Sequence, residues 1–152
     1  MARAHVHTSQ PEWAEHALER LQDAGYRRGG ARSAVVELLG RQDCALSAQD
    51  IEEHLRREDR RVARASVYRA LEQLADLRLV TKLEVGQGTA RYEPLLPDGD
   101  HHHHMVCDAC GTVVPFEDPE LEKSIEALSR RVSFDVAEHD VVLHGACKDC
   151  RE

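Results

Sequence analysis

Two pairs of cysteines constrain the fold of this chain more than any other feature of its sequence. Cys107-Asp-Ala-Cys110 and Cys147-Lys-Asp-Cys150 each place two thiols on one tight turn. Two such pairs can surround a single tetrahedral ion at about 2.3 Å, the geometry of a structural zinc site. We therefore predict a closed Cys₄ zinc site that stabilises a segment too short to have a large apolar core.

The compartment decides how these cysteines are interpreted, since redox-active or disulfide-bonded cysteines are the alternative. No apolar run approaches the ~20 residues of a membrane span, and the N-terminal segment lacks the apolar core of a signal peptide. We expect a cytoplasmic protein, where clustered cysteines are more often metal ligands. The fifth cysteine, Cys44, is distant in sequence and is expected to be a half-buried loop residue.

Charge is distributed unevenly along the chain, whose net charge is -8. Residues 1–93 hold 15 basic and 15 acidic side chains, whereas residues 94–152 hold 5 basic and 13 acidic ones. A neutral first part can still present a local basic face to phosphate groups. The acidic second part is suited to binding cations.

The pattern of residues 11–93 predicts a winged helix-turn-helix. Apolar spacing and Gly/Pro breaks indicate four helices, of which the third begins at a capping box, Ser47 to Asp50. Two β-type runs follow with a Gly-Gln-Gly turn between them. In such a fold the last helix before the hairpin enters the major groove. The alternative is a small helical domain with a solvated charged face. The first helix is predicted from Pro11 to Gly25, the second from after Gly29-Gly30 to near Gly40, the third to begin at Ser47, and the fourth over Arg64–Asp76. The predicted strands are Leu79–Val85 and Thr89–Glu93, joined by the turn Gly86–Gly88.

Residues 94–100, with the sequence PLLPDGD, are predicted to be a hinge linker before a smaller α/β domain of residues 101–152. The expected fold class of the whole chain is therefore α+β. The second domain is expected to contain a strand over Val113–Phe116 and a helix over Pro119–Arg131, with Leu121, Ile125 and Leu128 facing inward. Phe134–Val136 and Val141–Leu143 are expected to form one or two further strands.

Four consecutive histidines, His101 to His104, precede the first cysteine pair. In an extended segment their side chains alternate between faces, so one run could supply two separate metal sites. His101 and His103 would combine with Glu122 and His139 in a three-nitrogen, one-oxygen set suited to Zn²⁺ or Fe²⁺. The alternative is a solvated polar loop.

The other face of the run, His102 and His104, could reach back across the linker to Glu93 at the end of the predicted wing. A metal bound by these three residues would fix the orientation of the first domain relative to the second. DNA binding would then report metal occupancy.

In combination these features resemble the ferric uptake regulator (Fur) family of metal-sensing transcriptional repressors, whose branches sense iron, zinc, nickel, manganese or peroxide. The resemblance extends from about Leu18 to Cys150. It rests on three motifs in order, Ala65-Ser-Val-Tyr-Arg-Ala-Leu71, His101-His-His-His-Met-Val-Cys-Asp-Ala-Cys-Gly111 and Leu143-His-Gly-Ala-Cys-Lys-Asp-Cys150.

The resemblance implies a homodimer with an N-terminal winged helix and a C-terminal α/β dimerisation domain. It implies repression by the metal-loaded form at a palindromic operator on double-stranded DNA, with no membrane and no small organic substrate as partner. Tyr68 and Arg69 match DNA-contacting positions on the recognition helix, and Arg32 matches an arginine that contacts the DNA backbone.

The resemblance also assigns ligands. His101, His103, Glu122 and His139 fall on family ligand positions of the second domain. In the hinge site Glu93, His102 and His104 match, and Cys44 with Ala45 stands where the family has a histidine, which makes Cys44 a candidate fourth ligand. Glu93 favours iron and a Cys44 thiolate would favour zinc. The expected regulatory ion is Fe²⁺ or Zn²⁺, with Mn²⁺ as a further candidate.

Two departures from the family pattern bear on the type of sensor. Pro115 replaces a carboxylate expected just before Phe116, and the hinge cysteine of the zinc branch, which would fall near Leu95, is absent.

Two alternative functions remain, a peroxide-sensing regulator of this family and a metal-binding module without a DNA role. A zinc hydrolase with Glu122 or Glu93 as base is disfavoured, because the sequence has no H-E-x-x-H helix and no nucleophile elbow. We expect that the protein is not an enzyme.

Overall fold

The computed structural model describes residues 10–42, 45–85, 88–96 and 102–151. The chain divides into two compact units, Met1–Asp100 and His101–Glu152. Among the described residues the first unit contains four helices and a three-stranded sheet, and the second contains one helix and another three-stranded sheet. The predicted α+β class is therefore confirmed. None of the described helices is both long and apolar enough to cross a membrane.

The helices of the first unit begin and end close to the predicted residues. Helix α3 begins at the capping box, in which Ser47 Oγ accepts from Asp50 N at 3.1 Å and Asp50 Oδ2 accepts from Ser47 N at 3.0 Å. The elements in order are α1 Gln10–Asp23, α2 Gly30–Leu39, β1 Leu46–Ser47, α3 Ala48–Arg57, α4 Arg64–Asp76, β2 Val80–Glu84 and β3 Ala90–Pro94.

The core of the first unit is formed by the apolar faces of its four helices. Trp13 of α1 is 1% exposed, and its indole Nε1 donates to the Leu79 carbonyl at 2.9 Å. Leu95 N donates to the same carbonyl at 2.9 Å. These two bonds fasten α1 and the residue after β3 to the start of β2. Helix side chains of this core include Val35, Leu38, Leu39, Ile51, Leu55, Val67, Leu71 and Leu74.

Strands β2 and β3 form the antiparallel wing, paired from Val80 with Pro94 to Glu84 with Ala90. Val85 N donates to Thr89 O at 2.9 Å, while residues 86 and 87 of the predicted turn lie outside the described residues. The wing sheet has one strand more than predicted, because β1 pairs with β3 and gives the order β1-β3-β2. A two-residue strand is too short to produce a readable alternation in the sequence.

The second unit consists of β4 His103–Cys107, β5 Val113–Phe116, α5 Pro119–Val132 and β6 Val142–Gly145. Strand β4 is central, antiparallel to β5 and parallel to β6. Asp118 caps the start of α5, because its Oδ1 accepts from the backbone N–H groups of Glu120 and Leu121 at 2.9 and 3.2 Å. The histidine run therefore enters the middle strand of this sheet.

Two parts of the second unit differ from the prediction. Of the one or two strands expected after α5 the structure has one, β6, while residues Phe134–Val136 form no strand, and Leu128, predicted to face inward, is 47% exposed. The apolar period of a helix shows which face avoids water but not what covers that face. Among the described apolar side chains of this unit only Val106 and Cys107 are buried, so the described part of the unit gives α5 no large apolar core.

Candidate metal centres and nucleic-acid interface

The two cysteine pairs converge at one place in the second unit. Cys107 ends β4, and ligand atoms of all four cysteines lie within 4.8 Å of one another. Each pair is folded by a tight turn, with Gly111 N donating to Cys107 O at 2.8 Å and Cys150 N donating to Cys147 O at 3.0 Å. The sulfur atoms of Cys110 and Cys147 are 3.8 Å apart. This arrangement matches a closed tetrahedral thiolate site.

Hydrogen bonds spread the thiol pKa values of this cluster apart. Backbone N–H groups, first that of Cys147 and then that of Cys110, lower the pKa of Cys107 to about 6. The hydroxyl of Thr112, 3.1 Å from the Cys110 sulfur, lowers the pKa of Cys110. Neighbouring thiols, first that of Cys147, raise the pKa of Cys150 to about 12. A cation bound among the four sulfur atoms would favour the thiolate form of each, and its binding would release the remaining protons.

Two contacts that the sequence did not predict brace the cysteine turns against each other. His144 Nδ1 lies 3.0 Å from Asp108 Oδ1, and Asp108 N donates to Gly145 O at 2.8 Å. Asp108 lies inside the first cysteine turn, and Gly145 lies two residues before Cys147. An aspartate between two cysteines has no diagnostic meaning on its own, so only the fold reveals this contact.

A second cluster joins β4, α5 and the segment before β6. Glu122 Oε1 lies 2.5 Å from His103 Nε2, and Glu122 Oε2 lies 2.9 Å from His139 Nε2. His103 is 1% exposed, and its ring packs against Phe116 at a centroid distance of 5.5 Å. The three residues present a two-nitrogen, one-oxygen ligand set within 4.8 Å. The predicted fourth member, His101, lies outside the described residues.

The next two histidines lie together within the second unit. The rings of His102 and His104 meet edge to face, with centroids 4.9 Å apart, and His104 is 4% exposed. The alternation expected for extended chain is thus observed, with His103 directed to Glu122 and its two neighbours directed elsewhere. Glu93 is a half-buried residue of β3 in the first unit, opposite Thr81. Cys44 lies outside the described residues, so the hinge ligand set remains a prediction.

The predicted recognition helix α4 carries two exposed candidates for DNA contact. Tyr68 is 47% exposed, and Arg69 makes no hydrogen bond or ion pair within the described ranges. Arg69 lines a cleft of about 130 Å³ whose wall contains no acidic side chain. The residues of this cleft are Gly29, Ala31, Arg32, Ser66, Arg69, Ala70 and Gln73.

The third DNA-contact candidate, Arg32, faces the same cleft from α2. Its Nε donates to Gln73 Oε1 at 2.7 Å, and its Nη1 donates to the Arg27 carbonyl at 2.9 Å. Several other arginines of this unit are neutralised by glutamates at 2.5 to 2.9 Å, namely in the pairs Arg28–Glu15, Arg57–Glu53, Arg60–Glu37 and Arg64–Glu52. Because no acidic side chain lines the cleft, it keeps the positive charge that a phosphate backbone attracts.

Comparison with known proteins adds an independent line of evidence. Residues 23–144 match the family described as the Ferric uptake regulator family. The Ferric uptake regulation protein of Bacillus subtilis is 34% identical over 134 residues, which cover 87% of this chain and 90% of that protein. The Bordetella parapertussis protein of the same description is 33% identical over 133 residues, 87% of this chain and 94% of that one.

A solved structure extends the likeness to three dimensions. The ferric uptake regulator Fur of Helicobacter pylori, described as having three functional metal binding sites, matches with a TM-score of 0.82. The match covers 100% of this chain and 98% of that one at 28% identity. The two proteins therefore share one fold over their whole described length.

Proposed function

Since the chain belongs to the ferric uptake regulator family and is a metal-responsive transcriptional regulator, we propose that it represses transcription as a homodimer on palindromic double-stranded operators. In this proposal DNA binding requires a regulatory metal ion, and the protein acts in the cytoplasm. The observation that carries the proposal is the division of consecutive histidines, His103 towards Glu122 and His139, and His102 beside His104.

Three metal sites follow from the ligand chemistry. Cys107, Cys110, Cys147 and Cys150 would hold a structural Zn²⁺, since four thiolates close its coordination sphere. His103, Glu122 and His139, with His101 as the predicted fourth ligand, would hold a second ion. The three functional sites described for the Helicobacter pylori relative support the same number here.

The third, regulatory site is proposed to combine Glu93 with His102 and His104, with Cys44 as a candidate fourth ligand. Glu93 belongs to wing strand β3, and the histidines lead into the central strand of the second unit. A shared ion would therefore link the DNA-reading unit to the other one. We propose Fe²⁺ or Zn²⁺ as the regulatory ion, with Mn²⁺ as a further candidate.

The histidine clusters are proposed to sense metal and not to catalyse a reaction. Family members are transcription regulators. Glu122 uses both carboxylate oxygens on His103 and His139. Both carboxylate oxygens therefore face histidine nitrogens that are proposed to bind the same ion, which places Glu122 as a metal ligand beside them.

A direct experiment tests the proposed function. Duplex DNA is selected from a random library with the purified protein and Mn²⁺ or Zn²⁺, and its affinity is then measured with metal and with a chelator. We expect a palindromic sequence and an affinity at least tenfold higher with metal. Failure to enrich any duplex, or equal affinity under both conditions, would contradict the proposal.

The homodimer is proposed because the second unit exposes an apolar surface that nothing within the described chain covers. Seven of its large apolar side chains are 37% to 67% exposed, namely Met105, Val114, Leu128, Val132, Phe134, Val136 and Leu143. An exposed surface of this kind marks an interaction site. A second copy of the same unit would supply the core that α5 lacks.

Phe134→Asp is expected to weaken dimerisation at least tenfold, because Phe134 is 67% exposed and a buried unpaired carboxylate is costly at an interface. Sedimentation equilibrium measures the dissociation constant, and Asp135→Asn at the next position is the control. A wild-type protein that is monomeric at tens of micromolar would refute the dimer. So would an unaffected F134D dimer.

Arg69→Ala is expected to weaken operator binding 10- to 100-fold, since a specific arginine contact is worth about 1–3 kcal/mol. If Arg69 contacts phosphate, the slope of log affinity against log salt should flatten by about 1. The control is Arg41→Ala, whose guanidinium pairs with Glu58 and is not in the cleft. Wild-type affinity in R69A would remove Arg69 from the interface.

A further inference from the structure

Gln73 of α4 holds the guanidinium group of Arg32 in one place. Arg32 Nε donates to Gln73 Oε1 at 2.7 Å, Arg32 Nη1 donates to the Arg27 carbonyl at 2.9 Å, and Arg32 Cζ lies 4.8 Å from the ring centre of Tyr26. We infer that Gln73 is a positioning residue, which presents Arg32 to the DNA backbone. This inference rests on the proposed function.

The donors of Arg32 are divided between the protein and the cleft. A guanidinium group has five N–H donors in a fixed plane, and the two hydrogen bonds of Arg32 use one on Nε and one on Nη1. Three donors on the two Nη atoms remain for a ligand. A planar fork with its base fixed and its tips available is suited to two oxygens of one phosphate.

Gln73 is uncharged, and this property is as important for phosphate binding by Arg32 as the length of the Gln73 side chain. A glutamate at this position would hold Arg32 equally well, as Glu52 holds Arg64 at 2.7 Å, but it would cancel the positive charge. An amide oxygen fixes the guanidinium group and leaves its charge for the phosphate. Gln73 also lies one turn after Arg69 on α4, so both belong to the face that lines the cleft.

The bond to Gln73 should raise the affinity for DNA because it orders the Arg32 side chain before DNA binds. A free arginine side chain loses rotamer freedom when it binds phosphate, whereas Arg32 has already lost most of that freedom in the folded protein. Without the Gln73 acceptor, the Arg32 side chain regains rotamer freedom in the DNA-free protein, and its charge does not change. Affinity should then fall, while the salt dependence should stay the same.

A double-mutant cycle tests this inference on the full-length, metal-loaded protein, with a duplex selected by the wild type as the probe. We expect Gln73→Ala to weaken binding 3- to 10-fold with an unchanged salt slope. Arg32→Ala should weaken it further and flatten the slope by about 1. In the R32A background, Q73A should have no additional effect. Should Q73A fail to fold, Gln73→Met keeps the length of the side chain and removes the acceptor.

Gln73→Glu tests whether the acceptor must be neutral. This variant keeps the bond between α2 and α4 but places a negative charge beside Arg32, so we expect weaker binding with a flatter salt slope. Wild-type affinity in Q73E, an unaffected Q73A protein, or a full additional loss in the R32A background would each overturn the inference. Failure of the wild type to enrich any duplex would instead refute the proposed function.

Discussion

Replacement of Cys147 by serine is expected to remove one equivalent of zinc and to unfold the second unit while the first unit stays folded. Among the described apolar side chains of the second unit only Val106 and Cys107 are buried. The binding of structural zinc contributes about 10–16 kcal/mol in small zinc domains, as much as the total stability of about 5–15 kcal/mol of a typical domain. The first unit has its own core around Trp13 and Leu71 and should survive.

Elemental analysis and thermal unfolding followed by circular dichroism measure the two effects. The matched control is Lys148→Ser, which changes an exposed residue of the same turn and keeps all four thiols. K148S should retain the zinc and the unfolding profile of the wild type. Wild-type zinc content together with wild-type unfolding in C147S would show that the four thiols do not hold a structural ion.

Replacement of both His102 and His104 by alanine is expected to abolish the metal response of DNA binding. The double variant should bind the selected duplex as weakly as the metal-free wild type at every metal concentration, a loss of at least tenfold, within the range of roughly 5- to 150-fold of typical allosteric couplings. The two rings lie 4.9 Å apart and are proposed to share one ion with Glu93. Alanine removes two nitrogen ligands from this site, while the Cys₄ site and the cluster of His103, Glu122 and His139 keep all their ligands.

His54→Ala is the matched control for this pair. His54 lies on α3, its Nδ1 is 2.8 Å from the Asp50 carbonyl oxygen of the same helix, and it belongs to neither histidine cluster. H54A should retain the metal response, and zinc analysis should show one full equivalent in the Cys₄ site of both proteins. A double variant that still responds to metal like the wild type would place the sensor elsewhere in the molecule.

Local patterns predicted the parts of this protein whose energetics are local. The bounds of α4 and the capping box at Ser47 agree with the sequence, because apolar spacing and capping hydrogen bonds both act within a few residues. The division of the histidines follows from the alternation of side chains in any strand. The Cys-x-x-Cys spacing is diagnostic because a metal ion imposes its own geometry.

Contacts between distant residues were not predictable in this way. The bond between Arg32 and Gln73 joins residues 41 positions apart, and no sequence motif that contains either residue predicts it. The strand predicted for Phe134–Val136 failed because a strand needs a partner strand, and the described chain provides none there. Leu128 was predicted to face inward because its helix face is apolar, but the core it requires belongs to no described part of this chain.

If the regulatory metal and DNA stabilise the same state of the protein, each must raise the affinity of the protein for the other, and this coupling can be measured. Titration with Mn²⁺ and Zn²⁺, in the absence and presence of saturating selected duplex, gives the metal affinity of each state. DNA is expected to raise the affinity for the regulatory metal by the same factor by which that metal raises the affinity for DNA. Metal affinity that is identical with and without DNA would contradict it.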